Sequence, residues 1–265
     1  MQLAGKRFIL TGAAGGIGQA FATALAGAGV QLLLVSRSED ALEALRGRLP
    51  GSGHQVLAAD LATTEGRAAL MVAAGESVDG LINNAGANVF GLFEERSEAE
   101  LRQTLELNLL LPMLLVRGLL PALKARSGTI VNVGSAFGSI GFAGNVAYSS
   151  SKFGLRGFSE ALRRELADSG VKVQYLAPRA TNTAMNSQSV QAMNVELGTA
   201  MDSPERVAGE LLALLRGHKG VRFVGWPERF FIKLNSLFPA LVDKALRRQL
   251  PVVRRHALAD VGGRE

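Results

Sequence analysis

Two hydrophobic patterns alternate along the chain. Short, nearly continuous apolar runs are separated by longer segments in which apolar residues recur every three or four positions. The first pattern predicts buried strands and the second predicts amphipathic helices. Strands are expected near residues 8–10, 31–35, 55–59, 80–82, 129–133, 172–176 and 221–224. At least six strands alternating with helices indicate an α/β fold in which helices cover both faces of a parallel sheet.

Length and composition limit the class of protein. With 265 residues and 48% hydrophobic positions, the chain can form one sizeable packed domain. It has no cysteine, which excludes disulfides, thiolate metal sites and a catalytic thiol. The three histidines, His54, His218 and His256, lie far apart in the sequence. Because no metal-ligand spacing is present, we expect no metal site.

The distribution of charged and apolar residues indicates which partners and which cellular location to expect for the protein. The formal net charge is +6, and residues 226–265 hold eight basic and four acidic residues. That segment has no recognisable nucleic-acid module, so we expect no nucleic-acid partner. The start of the chain shows no secretory signal pattern, and polar residues and prolines interrupt the apolar stretch at 105–123. We therefore expect a cytoplasmic protein.

A glycine-rich turn follows the first predicted strand. Gly12, Gly16 and Gly18, with Ile17 between the last two, stand between that strand and a helical pattern. Such a turn lets the backbone approach a pyrophosphate and directs a helix N-terminus at its charge. A purely structural bend is the alternative interpretation.

The ends of the next three strands hold further candidates for binding a dinucleotide. Arg37 follows the second strand, where an acidic residue would bind the ribose of NAD and an arginine suits the 2′-phosphate of NADP. The sequence therefore favours NADP(H) over NAD(H). Asp60, followed by Leu61, ends the third strand, and its carboxylate either accepts from the adenine amino group or caps the next helix. The turn Asn84-Ala85-Gly86 follows the fourth strand, at the edge where open parallel sheets bind ligands.

Two residues suggest catalytic chemistry, and a third, Asn108, is an unusual polar residue in an apolar stretch. In a helix, Tyr148 and Lys152 stand at i and i+4 on one face. A nearby ammonium favours phenolate, so we expect Lys152 to lower the pKa of Tyr148 from about 10. This would make Tyr148 a general acid or base; a solvated helix face is the alternative. Asn108, among leucines, is either a buried polar group that needs a partner or a helix-start residue.

Together these residues resemble the short-chain dehydrogenase/reductase family over roughly residues 6–224. The resemblance rests on five features that stand in the family's order and spacing: Thr11-Gly12-x3-Gly16-Ile17-Gly18, Asn83-Asn84-Ala85-Gly86, Asn108, Ser135 and Tyr148-x3-Lys152. It implies a single domain with a Rossmann-like doubly wound parallel sheet of about seven strands. It also implies hydride transfer between a nicotinamide and a carbonyl or alcohol carbon, in a homodimer or homotetramer.

The resemblance further implies a role for each catalytic candidate. Tyr148 would exchange a proton with the substrate oxygen, which Ser135 would orient by a hydrogen bond. Lys152 would bind the nicotinamide ribose and lower the pKa of the tyrosine. Asn108 would hold a water that links Lys152 to solvent.

The sequence departs from the family at two places. Gly15 stands where many NADP(H)-binding members have a basic residue, so Arg37 alone supports the 2′-phosphate. After the sixth strand the usual Pro-Gly is replaced by Pro178-Arg179. Thr181 and Thr183 remain candidates to contact the nicotinamide carboxamide and the phosphates.

We divide the chain into a dinucleotide-binding and catalytic part, residues 1–225, and a basic amphipathic extension, residues 226–265. Residues 182–201 are expected to form a substrate lid, whose methionines either adapt to an apolar ligand or fill core gaps. The extension either lies on an anionic membrane or walls a lipid-like substrate pocket, or it packs on its own domain or a partner subunit.

These observations predict an NADP(H)-dependent oxidoreductase. Its small-molecule substrate would be an apolar carbonyl compound or secondary alcohol, such as a 3-oxoacyl or steroid-like ketone. The alternative is a non-catalytic dinucleotide sensor or a membrane-associated binding protein with the same fold.

Overall fold

The computed structural model describes residues 2–262, which contain one parallel sheet of seven strands. The strands are β1 (Arg7–Thr11), β2 (Gln31–Ser36), β3 (Gln55–Ala58), β4 (Gly80–Asn83), β5 (Thr129–Val133), β6 (Lys172–Ala177) and β7 (Val221–Phe223). Their order across the sheet is β3-β2-β1-β4-β5-β6-β7, and every neighbouring pair is parallel. The predicted Rossmann-like doubly wound fold is confirmed.

Eleven α-helices accompany the strands in the described part of the chain. They are α1 (Gly16–Gly27), α2 (Glu39–Arg46), α3 (Thr64–Ala74), α4 (Glu98–Leu105), α5 (Leu111–Ala125), α6 (Val146–Glu165), α7 (Gln188–Glu196), α8 (Pro204–Arg216), α9 (Glu228–Leu237), α10 (Pro239–Arg247) and α11 (Leu250–Gly262).

Both faces of the sheet are buried, which explains the continuous apolar runs in the sequence. In β2, Leu32 and Leu34 point to a core shared with α1, α2 and α8. Leu33 and Val35 point to the opposite core, shared with α3, α5 and α6. Because successive strand residues face opposite sides, a strand between two helix layers needs apolar residues at every position.

The position of β1 in the sheet determines where a ligand can bind. It lies between β2 and β4, and the chain builds β2 and β3 on one side before it crosses to β4 on the other. Connections that leave a parallel sheet in opposite directions open a crevice at the carboxyl ends of the strands. Thr11 and Asn83 end the two strands that border this crevice.

The first difference from the predicted elements lies before β5. The sequence predicts a separate long helix from about residue 107, but α4 continues into α5 through a π-helical segment, Glu106–Leu110. By length and composition the stretch Glu98–Ala125 could cross a membrane. Here Leu115, Leu119 and the other inward residues of α5 pack in the core beneath the sheet. The stretch is therefore a core helix of this fold.

The second difference lies in the predicted lid. Residues 182–201 show little periodicity, yet they contain α7. The Ser187 hydroxyl caps α7 by accepting from the Val190 amide at 3.3 Å. Val190 and Met193 pack with Val253 of α11. Contact with a distant helix, rather than local propensity, stabilises α7.

The C-terminal extension divides into two parts. Its last helix, α11, buries Val253 and Ala257 against the lid, so this part packs on its own domain. By contrast, α9 and α10 each bury one hydrophobic side chain, Ile232 and Val242 respectively. The packing interpretation therefore describes α11, and contact of the extension with a membrane or a partner subunit stays a prediction.

Candidate active site

The glycine-rich turn and the turn after β4 are joined by hydrogen bonds. The Thr11 hydroxyl accepts from the Asn84 and Ala85 amides, each at 3.0 Å. In return, the Asn84 side chain donates to the carbonyls of Thr11 and Gly12 at 3.0 and 3.1 Å. These four bonds fix the two sides of the crevice relative to each other.

The glycines of this turn stand where a side chain would not fit. Gly12 has a φ of 64°, and a Cβ there would lie 2.8 Å from the Ala85 Cα. A Cβ on Gly18 would lie 2.1 Å from the Gly12 carbonyl oxygen. The close approach of backbone segments therefore requires glycine at both positions.

The start of α1 suits the pyrophosphate of a dinucleotide. The helix begins at Gly16, followed by the partly buried Ile17, and within residues 2–262 no side chain caps its N-terminus. Its first amides are thus available to an anion, and the helix dipole favours negative charge there. A Cβ on Gly16 would lie 3.0 Å from Thr183 Cγ2, so Thr183 borders this site from the lid side.

The other predicted cofactor residues lie along the same edge. Arg37 directly follows β2, is exposed, and has no hydrogen-bond or ion-pair partner among the described residues. Asp60 is exposed and its carboxylate accepts from the Ala62 amide at 3.0 Å. It does not cap the next helix, because Thr63 does. The Leu61 side chain is buried in the core, so only its backbone can face a ligand.

The structure brings Ser135, Tyr148 and Lys152 together at the carboxyl end of β5. Ser135 follows the strand, and its hydroxyl accepts from the Phe137 amide at 3.1 Å. Its side chain lies beside that of Tyr148 on α6. The Lys152 ammonium is buried, donates to the Val133 carbonyl at 2.9 Å and lies 5.6 Å from the Tyr148 ring centroid.

The predicted effect of Lys152 on Tyr148 is wrong for this arrangement. Burial raises the pKa of Tyr148, and the neighbouring Ser135 hydroxyl lowers it by less. Burial also lowers the pKa of Lys152 to about 8. The lysine points at a backbone carbonyl rather than at the phenol oxygen, so desolvation of the phenolate has the larger effect.

Asn108 lies within the π-helical segment and is fully buried. Its side-chain oxygen accepts from the Ala87 amide at 2.9 Å, and its side-chain nitrogen donates to the Ala87 carbonyl at 2.8 Å. The same nitrogen donates to the Ser151 hydroxyl at 3.1 Å. Asn108 thus ties the segment after Gly86 to α6. The predicted water relay through Asn108 stays a prediction.

Several polar residues of the site make contacts that the sequence does not predict. Thr11 joins the two turns, and Ser151 joins Asn108 to α6. Tyr175 on β6 lies beneath Ser135: its hydroxyl accepts from the Ser135 amide at 3.4 Å, and burial raises its pKa. The position of Ser151 next to Lys152 was a usable signal, whereas nothing local marks Tyr175.

The unusual Pro178-Arg179 pair begins the lid. Pro178 is buried, and the Arg179 guanidinium pairs with Asp202 at 2.8 Å and with Glu228 at 3.2 Å. Thr181 is buried too, and it forms a β-bridge with Asp202. Arg179 therefore joins the base of the lid to its far end and to the start of α9.

An aromatic and aliphatic wall adjoins Tyr148. Phe137 meets the Tyr148 ring edge-on, with the centroids 6.5 Å apart, and stacks on Phe142 at 5.0 Å. Phe142 packs against an apolar cluster that includes Phe90, and α7 and α11 complete this cluster with Met193, Val253 and Ala257. The side of the site away from the glycine-rich turn is therefore apolar.

The described residues contain no group of three or more metal-ligating side chains that could hold an ion. The polar groups of the site are amides, hydroxyls and one ammonium, and these suit an anionic dinucleotide and a polar substrate oxygen.

Comparison with known proteins gives the family. A family model for short chain dehydrogenases matches residues 6–194. The chain is 34% identical over 244 residues to the 3-oxoacyl-(acyl-carrier-protein) reductase FabG of Vibrio cholerae, covering 89% of this chain and 96% of that protein.

Solved structures give the same result. A short-chain dehydrogenase from Streptomyces avermitilis is 28% identical with a TM-score of 0.80, covering 94% of this chain and 99% of the other. A Beutenbergia cavernae NAD(P)-dependent dehydrogenase with NADP bound at low occupancy is 31% identical with a TM-score of 0.71, covering 80% and 90%. The chain therefore belongs to the short-chain dehydrogenase family, whose members are oxidoreductases that bind NAD or NADP.

Proposed function

We propose that the chain is an NADP(H)-dependent reductase of lipophilic ketones, with 3-oxoacyl thioesters as the leading substrate class. The observation that carries the proposal is the position of Ser135 beside Tyr148, with the glycine-rich turn and the turn after β4 on one side and an apolar wall on the other. The 3-oxoacyl class is supported by the FabG relative, whose alignment covers 89% of this chain at 34% identity.

Residues on the crevice side suit NADPH, which when bound supplies the hydride. The uncapped start of α1 would hold the pyrophosphate, and Arg37, which has no partner among the described residues, would pair with the 2′-phosphate. One hydrogen of the Lys152 ammonium goes to the Val133 carbonyl. The other two remain for the ribose hydroxyls.

The chain's own residues would handle the proton. Hydride addition to a ketone carbon builds negative charge on its oxygen, which well-placed donors stabilise. Burial raises the pKa of Tyr148, which keeps its phenol protonated at neutral pH and ready to donate a proton to that oxygen. The Ser135 hydroxyl lies beside Tyr148 and accepts from the Phe137 amide, which places it to orient the substrate oxygen.

We also propose a homodimer or homotetramer. Four large apolar side chains are exposed on the helices around Asn108 and Tyr148, namely Leu105, Leu110, Val146 and Phe153, each 41–45% exposed. Pairing of these faces would bury them, and sedimentation velocity should give a mass above that of one chain. A purely monomeric protein would contradict this proposal.

The proposed reaction is tested by the loss of NADPH absorbance with 3-oxoacyl thioesters of increasing chain length. We expect turnover that rises with acyl length and is slower with NADH. The matching saturated acyl thioesters, which lack the ketone, are the control and should give no turnover. Tight NADPH binding without turnover of any ketone would contradict the proposal and favour a dinucleotide sensor.

A further inference from the structure

Helix α9 is attached to the protein by one side only. Ile232 is its buried residue, and the Asn235 side chain donates to the Ser139 carbonyl at 2.9 Å. Residues two before and five after Ile232 fall on the opposite side of a helix with 3.6 residues per turn. These residues are Phe230, which is 49% exposed, and Leu237, which is 71% exposed. The helix therefore points an apolar side outward.

The exposed apolar surface continues beyond α9 in both directions. Large hydrophobic side chains rarely cluster on the surface of a monomeric protein unless they bind something. We name this surface the docking face; its exposed apolar members are Trp226, Phe230, Phe231, Leu237, Phe238 and Leu241.

Cations surround the docking face and have no partner in the described part of the chain. α9 and α10 pack against each other. The basic residues on them are Arg229, Lys233, Lys244, Arg247 and Arg248, all exposed.

Acidic residues do little to offset these cations. Glu228 is taken by Arg179, and Asp243 is the other acidic residue of α9 and α10. The docking face is therefore both apolar and strongly basic.

A groove opens at the start of the docking face. It has a volume of about 360 Å³, and its lining includes Trp226, Arg229 and the exposed Lys219. An aromatic ring beside two cations suits an anionic group attached to an apolar chain.

We propose that the docking face binds the surface of an anionic lipid bilayer. Aromatic and aliphatic side chains would enter the boundary between headgroups and acyl chains, while the cations meet anionic headgroups. A second copy of the chain fits less well, because two-fold pairing would set the same cations against each other. The inference stands apart from the choice of substrate, since none of these residues belongs to the site around Tyr148.

The test is co-sedimentation of the full chain with vesicles of phosphatidylcholine, with and without phosphatidylglycerol. We expect binding only when phosphatidylglycerol is present, and loss of binding in about 1 M salt, where the Debye length falls to about 3 Å. Lys244→Gln with Arg247→Gln and Arg248→Gln should weaken binding on the order of 100-fold. Phe230→Ser with Leu237→Ser should weaken it at least about tenfold.

The matched control removes three exposed cations from other helices and strands: Arg102→Gln with Lys124→Gln and Lys172→Gln. Vesicle binding by this variant should weaken by less than about threefold, since these cations lie outside the docking face. Equal loss in the control would overturn the proposal, because binding would then depend on net charge alone. So would equal binding to pure phosphatidylcholine. A lower assembly mass for Phe230→Ser with Leu237→Ser, without vesicle binding by the unaltered chain, would identify the face as a contact between copies.

Discussion

The cofactor half of the molecule, residues 7–165, and the substrate half, residues 178–262, are held together differently. In the cofactor half, short motifs at strand ends contact one another through Thr11, Asn84 and Asn108. The substrate half adds only β7 to the sheet, and its loops and helices are joined by ion pairs such as those of Arg179 with Asp202 and Glu228. The first half is therefore fixed by the sheet and the turns at its strand ends, whereas the second depends on a few side-chain pairs.

The largest expected effect on stability concerns the buried lysine of the cofactor half. Burial lowers the pKa of Lys152 from 10.5 to about 8, so the native protein releases this proton earlier than the unfolded chain. Between these values the unfolded chain binds more protons, and the free energy of unfolding therefore rises with pH. Relative to Lys152→Met, we expect the unaltered protein to gain roughly 2–3 kcal/mol between pH 7 and pH 10.

Denaturant unfolding at several pH values measures this gain. Lys124→Met, at an exposed position on α5, is the control. The difference in free energy of unfolding between the unaltered protein and this variant should change by less than about 0.5 kcal/mol between pH 7 and pH 10. A stability difference between the unaltered protein and Lys152→Met that does not vary with pH would contradict the buried ammonium.

A smaller effect on stability is expected from the ion pairs of Arg179 in the substrate half. Among residues 2–262, Arg179→Ala would leave the buried Asp202 carboxylate with the exposed Arg206 as its remaining ion-pair partner. A buried charge that loses a partner is costly, and we expect a loss of roughly 2 kcal/mol in the free energy of unfolding, together with a higher KM. Thermal unfolding and substrate titration measure the two effects.

Arg206→Ala is the matched control, because it removes the other partner of Asp202 from the solvent side. It should cost less than about 1 kcal/mol. Equal costs for the two variants would show that the Arg179 pair does not hold the lid base.

The smallest expected effect is on cofactor preference and concerns Arg37, at the exposed edge of the cofactor half. Arg37→Asp would replace the candidate partner of a 2′-phosphate with a residue that suits a ribose hydroxyl. We expect the ratio of kcat/KM for NADPH to that for NADH to fall by about tenfold or more. Arg46→Asp, an exposed arginine of α2 away from the strand end, is the control, and an unchanged ratio in Arg37→Asp would place cofactor selectivity elsewhere.

The sequence predicts more of the cofactor half than of the substrate half. Apolar runs give the seven strands because both sheet faces are buried, and the glycines of the first turn stand at positions where a Cβ would collide. The Tyr148 and Lys152 pair is found from helical spacing, but not the direction of the tyrosine pKa, because burial acts through the whole fold.

Features that depend on distant contacts are missed. α7 has weak periodicity and is stabilised by α11, and Tyr175 supports Ser135 from a strand 40 residues away in sequence. The sequence on either side of the π-helical segment has ordinary helical periodicity, so the sequence does not show the segment itself. Its contribution to the site is seen in the hydrogen bonds of Asn108.

The central claim is that Tyr148 donates the proton in a hydride-transfer reaction. The most direct measurement compares NADPH-dependent turnover and the NADPH Kd of the unaltered chain, Tyr148→Phe and Tyr175→Phe. These are the two tyrosines of the chain, and the hydroxyl of Tyr175 makes only long hydrogen bonds, 3.4 and 3.5 Å, below the site. Tyr148→Phe should lower kcat on the order of 1000-fold and change the Kd less than about tenfold, while Tyr175→Phe should change both less than about tenfold. Turnover by Tyr148→Phe close to that of the unaltered chain would contradict the claim.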